Sequence, residues 1–504
     1  MKESLNLIWF KRDLRWQDHE PLKLAIEEGT PLLGLFIFED FYQQDPSWSL
    51  RHWQAQYHSL VDMQVSRKDA FQEILVLEGN STEIFKKFTS EYKVKTVYSY
   101  QETGESLSYQ RDKELSKLFQ SQSISWHECE QNAVQRGRRN RTSWDESWRN
   151  FMHQDIDSPS LDRWPRVNPN LKVAIKESYA ISTHLQKRLK NWPSNFQPIG
   201  ESAGHKRLNH YLDKQGYKNY GANIGLAKAS RSTCSRLSPF IAWGNLSLRQ
   251  IYQKSMVELE KSPYRRDLRA FISRLHWHSH FIQKFEMEVS MEYKNLNPAF
   301  NSLERVEQPA FIEAWKSGKT GYPLIDAGIH AVKETGYLNF RMRAVLVSFL
   351  CHQLWQDWQA GAAFLAQQFL DYIPGIHYPQ FQMQNGSTGI NTIRIYNPVK
   401  QSLEKDPDAH FIDDWVPALI ELPMAFKHQP WLMTTMEQSF YNFELGRDYP
   451  ERIIDINQSG AKARDILWAF RKTEAVRREN QRILIRHTTA IRDPKLRSKK
   501  IIQP

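Results

Sequence analysis

The stretch from Trp315 to Trp415 decides the fold of this chain, because it combines helical periodicity with polar residues that packing alone does not explain. Its four informative blocks read WKSGKTGYPLIDAGI (residues 315–329), NFRMRAVLVSFL (339–350), STGINTIRIYNPVKQ (387–401) and DPDAHFIDDW (406–415). Charged and amide groups inside an apolar helical pattern need buried partners or a polar ligand. Seven residues need such partners: Arg341, Arg343, Asp371, Asn391, Arg394, Asn397 and Gln401. A large cofactor of mixed polarity would supply the partners.

The length and composition of the chain indicate a folded protein with at least two domains. At 504 residues and 59.6 kDa it is too long for one ordinary core. Its contents of 40% hydrophobic and 25% charged residues are typical of globular proteins. No run of about 18 apolar residues occurs, so we expect no transmembrane helix and no membrane partner. The apolar run 5–10 is too short for a signal peptide and predicts a buried strand.

The three cysteines, Cys129, Cys234 and Cys351, lie far apart without the spacing of a metal site. A chain with few, scattered thiols suits a reducing compartment. We therefore expect a cytoplasmic protein without an all-cysteine zinc or iron–sulfur centre.

Positive charge is concentrated in two segments. The formal net charge is +11, and residues 471–504 carry eleven Lys and Arg against three Asp and Glu. A second basic cluster, QRGRRNR, occupies residues 135–141. Clusters of this kind suit the phosphate backbone of nucleic acids, and a solvated tail is the alternative for the C-terminal segment.

Residues 1–130 alternate short apolar runs with helical patterns. The predicted strands are 5–10, 32–38, 73–77, 94–100 and 123–127, and the predicted helices are 21–28, 51–68, 82–92 and 109–119. This alternation predicts a parallel sheet with helices on both faces and a ligand crevice at the carboxyl ends of the strands. Residues 11–15, after the first strand, lack the G-x-G-x-x-G pattern, so we expect no nicotinamide dinucleotide site.

The rest of the chain divides into a linker, a helical domain and a tail. Five prolines interrupt residues 131–203, which predicts a long surface connection with some helix. From Gly204 onward apolar residues recur at intervals of three and four, and strand-like alternation is scarce. We therefore expect an α/β domain (1–130), a linker (131–203), an all-helical domain (204–480) and a basic tail (481–504).

The segment STCSRLSP, residues 232–239, places hydroxyl groups and Arg236 ahead of a predicted helix. Ser238 is the expected cap of this helix and Pro239 its first residue. The free N–H groups of a helix start, with hydroxyls and a guanidinium nearby, suit a pyrophosphate. An ordinary helix cap is the alternative.

One predicted helical face combines a cation with aromatic rings. It carries Arg274, Trp277, His278 and Phe281. A Trp and a His on one stripe suit stacking against a flavin or a flipped-out base. His276, His278 and His280 follow an i, i+2 spacing that spreads ligands around a helix, so we expect no metal site.

Four ordered motifs resemble the photolyase/cryptochrome family of flavoproteins. They are WFKRDLR (residues 9–15), CSRLS (234–238), the block 315–326 and RIYNP (394–398). Their order extends the resemblance over about residues 5–470. The resemblance implies an α/β antenna domain joined by a long linker to an all-helical domain that binds FAD in a U shape.

The resemblance also implies which residues contact FAD. The family grips the FAD phosphates at the positions of Cys234, Ser235, Arg236, Leu237 and Ser238, with Tyr220 in the upstream tyrosine position. Arg343 and Asp371 match the buried ion pair beside the isoalloxazine, and a structural salt bridge is compatible with that role. The further implied contacts are Phe271, Arg274, Trp277, His278, Phe281, Phe340, Ile373 and His377.

This chain departs from the family pattern at several of these positions. Arg274 stands where many photolyases for cyclobutane pyrimidine dimers (CPDs) have a glutamate, three residues before Trp277, the expected stacking residue. Three other positions also differ: His278 replaces an arginine, Phe340 stands where asparagine is usual, with an asparagine just before it, and Ile373 replaces the second aspartate of a D-x-D.

The tryptophan relay that reduces the flavin in much of the family is incomplete here. Trp358 fits the middle position, Phe381 or Gln382 occupies the flavin-proximal one, and no tryptophan lies near Asn301 at the distal one. Electrons must therefore pass through other aromatics, such as Trp355 and nearby tyrosines, or come from an external reductant.

The antenna is also unlike the folate-binding type. Ser108 stands where a folate-binding glutamate is usual, which disfavours folate. A deazaflavin, flavin mononucleotide (FMN) or no second chromophore stay open.

These residues together predict a blue-light-driven DNA photolyase, a lyase that splits pyrimidine dimers in UV-damaged DNA with an electron from reduced FAD. We expect it to act as a monomer. The expected catalytic residues are Trp277, Arg274, Trp358 and His377, which stands near the position facing flavin N5.

The alternative is a cryptochrome photoreceptor without repair activity. Signalling members often have long C-terminal extensions, and only about 25 residues follow the last expected helix here, which favours the enzyme. The changed lesion-site residues favour the photoreceptor. A basic structural nucleic-acid protein would leave the polar set around Asp371 unexplained.

Overall fold

The computed structural model describes residues 3–488, whose N-terminal part forms a five-stranded parallel sheet. The strands are β1 (Ser4–Phe10), β2 (Leu32–Glu39), β3 (Ile74–Gly79), β4 (Lys93–Tyr100) and β5 (Ser125–Cys129). They lie in the order β3-β2-β1-β4-β5, and neighbouring strands are parallel. The strand order reverses at β1, which places a crevice at the carboxyl ends of β1 and β4.

The predicted α/β class of this part is confirmed. Its helices are α1 (Glu20–Glu28), α2 (Leu50–Ser66), α3 (Lys68–Phe71), α4 (Ser81–Glu91) and α5 (Ser106–Ser121). Each predicted strand and helix ends within three residues of the observed one. β2 is buried at all eight positions, because helices cover both faces of a parallel sheet.

Residues 131–203 contain more helix than their prolines indicated. Three helices lie here: α6 (Trp144–His153), α7 (Pro169–Tyr179) and α8 (Thr183–Lys190). Pro169 lies in the first turn of α7, where the missing N–H costs no helical hydrogen bond. α8 packs against α2, so this segment runs over the surface of the sheet domain.

The remaining described chain is mostly helical, as predicted. Its helices are α9 (Glu201–Asp213), α10 (Tyr220–Asn223), α11 (Ser230–Thr233), α12 (Ser238–Ala242), α13 (Leu248–Lys261), α14 (Arg265–Glu286), α15 (Pro309–Ser317), α16 (Pro323–Thr335), α17 (Phe340–Ser348), α18 (Gln359–Gln368), α19 (Pro374–Asn385), α20 (Pro398–Lys405), α21 (His410–Trp415), α22 (Met424–Lys427), α23 (Thr435–Phe440), α24 (Ile456–Arg471) and α25 (Glu474–His487). A π-helical turn, Phe349–Gln353, continues α17. Short 3-10 helices occupy Asp40–Gln43, Leu161–Arg163, Val289–Glu292, Pro298–Ser302, Pro417–Leu419 and Pro430–Leu432.

The sheet and the helical region meet at the loop after β1. The Leu14 N–H donates to the Trp243 carbonyl at 3.1 Å, and the Arg15 guanidinium donates to the Gly244 carbonyl at 3.0 Å. Asp18, which is 1% exposed, forms an ion pair with Arg249 of α13. These groups stay paired only while the two regions are in contact, so the loop couples their stabilities.

His352 lies buried in the π-helical turn as a neutral imidazole. Its Nδ1 is 2.9 Å from Ser348 Oγ, and its Nε2 is 3.0 Å from the Asn385 carbonyl oxygen. A carbonyl oxygen only accepts, so Nε2 carries the proton and Nδ1 accepts from the hydroxyl. Burial lowers the pKa of His352 to about 4.

We expect the free energy of unfolding to fall as the pH drops from about 6.5 to about 4, because the unfolded chain binds a proton that folded His352 does not. His52, His278, His280, His377 and His487 also have lowered pKa values and add to this trend. Thermal unfolding at about pH 7.5, 6 and 5 measures the slope, which His352→Gln should reduce. Equal slopes in the variant and the parent would contradict the role of His352.

Residues 489–504, which contain most of the predicted basic tail, lie outside the described residues. No helix in residues 3–488 is long and apolar enough to cross a membrane. The predicted domain boundaries at residues 130, 203 and 480 stay predictions, as does the monomeric state.

Candidate functional site

A cavity of about 1720 Å³ lies within the helical region. Typical ligand pockets measure about 300–1,000 Å³, so this one has room for a dinucleotide and part of a second ligand. Fifteen predicted site residues line it: Tyr220, Cys234, Ser235, Arg236, Leu237, Ser238, Arg274, Trp277, His278, Phe281, Phe340, Arg343, Asp371, Ile373 and His377. The structure thus brings together residues from α10, α14, α17, α19 and the loop before α12.

Two predicted site residues, Phe271 and Trp358, do not line this cavity. The Phe271 ring fills the space between Tyr211 and Tyr220, with centroids 5.1 and 5.9 Å away. It therefore lies behind the cavity wall, and its implied cofactor contact stays a prediction. Trp358 is 1% exposed and lies 6.2 Å from the ring of Tyr378, which in turn contacts the cavity residue His377 at 5.4 Å.

The loop before α12 forms a cationic part of the wall. The Arg236 guanidinium lies 3.7 Å from the Tyr337 ring centroid, and Arg207 donates to the carbonyls of Cys234 and Ser235 at 2.9 and 2.7 Å. Neither arginine has an ion pair within residues 3–488, and burial lowers the pKa of both. A diphosphate would supply the missing negative charge, so the loop fits the phosphates of FAD.

The predicted helix is present and begins at Ser238, but Ser238 is not its cap. α12 has only five residues, its N-cap is Leu237, and no side chain caps it, although Pro239 does lie in the first turn. Arg236 adopts a left-handed backbone with φ +57° and turns the chain just before the helix. A phosphate bound here would therefore meet the side chains of Ser235, Arg236 and Ser238 and not the start of a long helix.

The predicted stripe on α14 faces the cavity. Trp277 is 46% exposed, and its ring lies 5.2 and 5.7 Å from those of His280 and Phe281. Both ring nitrogens of His278 are buried without a hydrogen-bond partner, and burial lowers its pKa to about 4. A neutral imidazole with two unsatisfied nitrogens at a cavity wall is available to a polar ligand, and the polar edge of a flavin would satisfy it.

Arg343 and Asp371, which also line the cavity, form an ion pair. Arg343 Nη2 donates to both Asp371 carboxylate oxygens, at 2.9 and 2.8 Å. Arg343 Nε donates to the Leu338 carbonyl at 2.9 Å, and the guanidinium lies 3.8 Å from the Phe369 ring centroid. These contacts hold both charges in one orientation, in which their field acts on any ring bound beside them.

His377 and Ile373 also line the cavity, at the start of α19. His377 Nε2 donates to the Ala362 carbonyl at 2.9 Å, and burial lowers the pKa of His377 to about 4. The ring is therefore neutral at pH 7, with Nδ1 left as an acceptor. Ile373 adds an apolar surface where the family pattern has a carboxylate.

Asn339 makes hydrogen bonds within the protein, and Phe340 follows it at the cavity. Asn339 is the N-cap of α17: its Oδ1 accepts from the Met342 N–H at 2.8 Å, and its Nδ2 donates to Ser230 Oγ at 2.6 Å. Phe340 is 39% exposed at the cavity. Asn339 also lines the cavity, but its polar atoms are already hydrogen-bonded, so the side chain left for a ligand here is the aromatic one.

The seven polar residues between 341 and 401 play three different parts. Four line the cavity: Arg343, Asp371, Asn391 and Arg394. Asn397 caps α20 by accepting from the Lys400 N–H at 3.0 Å. Gln401 is buried: its Nε2 lies 3.5 Å from Glu404 Oε2, and its Oε1 has no hydrogen-bond partner. Arg341 lies in a separate, smaller cavity that Arg394 also lines.

Several cavity residues were not predicted from the sequence. They are Asn140, Thr142, Lys284, Tyr337, Gln384, Gln481, Leu484, Ile485 and Thr488, among others. Leu484 and Ile485 of α25 are 41% and 74% exposed. Two adjacent apolar residues in a basic segment were the available signal that this helix has a surface role.

The crevice of the sheet domain holds a dense cluster of buried charges. Arg111 pairs with Glu39, Glu102 and Asp112, while Ser108 only donates to a backbone carbonyl of its own helix at 2.9 Å. Several polar atoms in this cluster have no hydrogen-bond partner: Lys11 Nζ, Arg12 Nη2, Glu39 Oε1 and Glu105 Oε2. The cavity beside them has about 40 Å³, room for a water molecule.

Comparisons with known proteins agree with this arrangement over nearly the whole chain. A family model described as DNA photolyase matches residues 6–151, and one described as the FAD binding domain of DNA photolyase matches residues 271–469. A cryptochrome DASH of Synechocystis is 28% identical over 498 residues, covering 91% of this chain and 97% of the relative. A deoxyribodipyrimidine photo-lyase of Alkalihalophilus pseudofirmus is 25% identical over 482 residues, covering 92% and 97%.

A solved structure shares the fold. The crystal structure of a Synechocystis cryptochrome superposes with a TM-score of 0.78 at 23% identity, covering 92% of this chain and 99% of that chain. The matched helical model coincides with the part of the chain that supplies most of the cavity wall. The chain therefore belongs to the photolyase/cryptochrome family of flavoproteins, and its cofactor is FAD.

Proposed function

We propose that this protein is a blue-light-driven DNA photolyase that splits pyrimidine dimers in UV-damaged DNA. The observation that carries the proposal is Trp277, an indole 46% exposed in the same cavity as His278 and the Arg343–Asp371 pair. A half-exposed indole beside a flavin site is a stacking surface for a base that has left its duplex. A buried core role would leave the ring covered on both faces.

The bound FAD supplies the light-driven electron, and the protein supplies binding, orientation and a local field. Arg236 neutralises the cofactor phosphates. His278 donates or accepts a hydrogen bond at the flavin edge through a neutral imidazole. Asp371 holds Arg343 in place and keeps its positive charge beside the ring.

Arg274 is assigned to the lesion side of the cavity. It lies one helical turn before Trp277 on the same face of α14 and is exposed. A guanidinium here can donate to the carbonyl oxygens of a dimer or to a flanking phosphate. It would take the place of the glutamate that many photolyases of this family have at this position.

Electrons reach the flavin through rings that stand in for the incomplete tryptophan relay. His377, Tyr378 and Trp358 form consecutive ring contacts of 5.4 and 6.2 Å leading away from the cavity. Trp358 therefore acts through Tyr378, while Trp355 is held elsewhere by a hydrogen bond from its Nε1 to the Glu304 carbonyl at 3.3 Å.

A photoreceptor role is the second candidate, and a specific observation favours it. Ile373 and Phe340 give the flavin and lesion sides of the cavity apolar surfaces where polar residues are usual in repair enzymes of this family. Three curated relatives, 24–28% identical, are named cryptochrome DASH.

Repair activity separates the two candidates. The purified protein, with FAD checked by its blue absorption, is illuminated with oligonucleotides that carry a CPD or a (6-4) lesion, in single and double strands. We expect loss of at least one lesion under light and none in the dark. Unchanged lesion levels in all four substrates would overturn the photolyase proposal.

Trp277→Ala tests the stacking role. We expect it to keep FAD and to weaken binding of the repaired lesion about tenfold, because base stacking on an aromatic ring contributes about 1–3 kcal/mol. Fluorescence anisotropy with labelled lesion DNA measures this change. Phe440→Ala removes a ring that is 80% exposed on α23 and is the matched control. Equal affinities for the two variants would contradict the assignment.

A further inference from the structure

A second cavity, of about 630 Å³, adjoins the flavin cavity on the outside of the helical region. Its wall contains three arginines, Arg341, Arg394 and Arg464, and two aromatic residues, Tyr396 and Trp468. The family resemblance assigns no role to Arg464 or Trp468. The remaining lining residues are isoleucines, so no carboxylate faces this space.

The positive charge of this cavity is uncompensated. Arg341, Arg394 and Arg464 form no ion pair within residues 3–488. Arg341 Nη1 donates to the Tyr396 hydroxyl at 2.5 Å, but its Nε is buried without a partner. Three guanidinium groups around one space, one with an unsatisfied donor, indicate an anionic ligand with several acceptor oxygens.

The aromatic part of the cavity is exposed to solvent and fixed in position. Trp468 is 43% exposed. Arg471 packs 5.5 Å from the Trp468 ring centroid and donates to the Asn391 carbonyl at 2.7 Å, which fixes the indole on α24. A fixed, half-exposed indole beside guanidinium groups suits a planar ring that is attached to the anion.

Arg394 lines both cavities, so they lie on either side of one side chain. On α17, Arg343 belongs to the flavin cavity and Arg341, two residues earlier, belongs to the second one. A chain of nucleotides with one base in the flavin cavity would therefore extend past Arg394 toward Trp468.

We propose that the second cavity binds an unpaired nucleotide of the DNA strand whose damaged base enters the flavin cavity. The phosphate lies among Arg341, Arg394 and Arg464, and the base stacks on Trp468. This inference rests on the proposed DNA substrate. The shared chemistry, an anionic phosphate joined to a planar base, also describes a free mononucleotide, so the test includes both.

The test measures binding of undamaged DNA in the dark, so it does not depend on repair. A labelled single strand of about eight nucleotides is titrated by fluorescence anisotropy at several salt concentrations. Trp468→Ala should weaken binding about tenfold, and Trp468→Phe should restore most of it. Arg464→Gln should lower the slope of log affinity against log salt by about 0.7, the value for one lost phosphate contact.

Matched controls separate this site from general effects of charge and surface. Phe440→Ala removes another exposed ring, and Arg188→Gln removes an exposed arginine of α8, on the sheet domain. Both should bind the strand as the parent does. FAD absorption should be unchanged in all variants, which confirms that the variants are folded.

The outcomes are distinct. Parent-like binding by Trp468→Ala, or equal losses in Phe440→Ala, overturns the site. Competition by thymidine monophosphate as strong as that by the strand overturns the assignment to DNA and leaves a free nucleotide as the ligand. If Trp468→Ala loses strand binding but the parent repairs no lesion, the photolyase proposal is wrong and the nucleotide site is retained.

Discussion

Asp371→Ala is expected to release FAD from the purified protein and to lower its free energy of unfolding by about 3 kcal/mol. Asp371 is 5% exposed and accepts two hydrogen bonds from Arg343, which is 29% exposed. Removal of the carboxylate leaves the guanidinium beside Phe369 without its counter-ion. The flavin then faces a displaced or uncompensated charge, so both stability and cofactor retention fall.

The ratio of flavin absorbance to protein absorbance after gel filtration, and denaturant unfolding, measure the two effects. Asp408→Ala, which removes an exposed carboxylate, is the control and should keep FAD. The double variant Arg343→Gln/Asp371→Asn should recover part of the lost stability, because it removes both charges together. Full FAD retention in Asp371→Ala would show that the pair does not shape the flavin site.

Gly244→Ala is expected to destabilise the protein by about 4 kcal/mol, the combined cost of a left-handed backbone and of overpacking. A Cβ at Gly244 would lie 2.2 Å from the Arg12 carbonyl oxygen and 2.4 Å from Asp13 Cα, and its φ is +70°. Those atoms belong to the backbone of the loop after β1, which cannot move aside as a flexible side chain would. The substitution therefore separates the sheet domain from the helical region.

Gly29→Ala is the matched control for Gly244→Ala. Gly29 has φ +81°, but a Cβ there would meet no atom within 4 Å. Its cost should be limited to backbone strain, about 1–2 kcal/mol. Denaturant midpoints of the two variants give the difference. Equal losses of stability in the two variants would mean that Arg12 and Asp13 move away from the added Cβ without an energetic cost.

The local structure could be predicted because it follows from periodicity within short segments. Apolar runs located all five strands of the sheet, and the positions 274, 277, 278 and 281 had to share a face once α14 was a helix. The ion pair of Arg343 with Asp371 came from the family resemblance. The distances and orientation of this ion pair could not be predicted from the two residue types.

Two details of the site depend on tertiary contacts that override local preference. Ser238 has the residue type of a helix cap, yet the left-handed turn at Arg236 made Leu237 the cap. Phe271 lies on α14 near the cavity but is drawn into the space between Tyr211 and Tyr220. In each case the packing of a distant segment decided which side chain reached the site.

The role of α25 in the site also could not be predicted from the sequence. This helix lies beyond the matched residues 271–469, and its basic composition predicted a tail. Glu288 fixes it by an ion pair to Arg482 at 3.1 Å and by accepting a hydrogen bond from His487 Nε2 at 2.8 Å. These contacts bring Leu484 and Ile485 to the cavity.

The sequence by itself determined the order of elements, the α/β and helical halves, the family and the stripe on α14, because these depend on residue types at fixed short spacings. Only the tertiary structure decided which polar residues from 341 to 401 face the cofactor, which cap a helix, and which form the second cavity. Charge compensation is the physical reason. A buried arginine is paired or unpaired according to which carboxylates the fold places beside it, and residues far apart in sequence supply them.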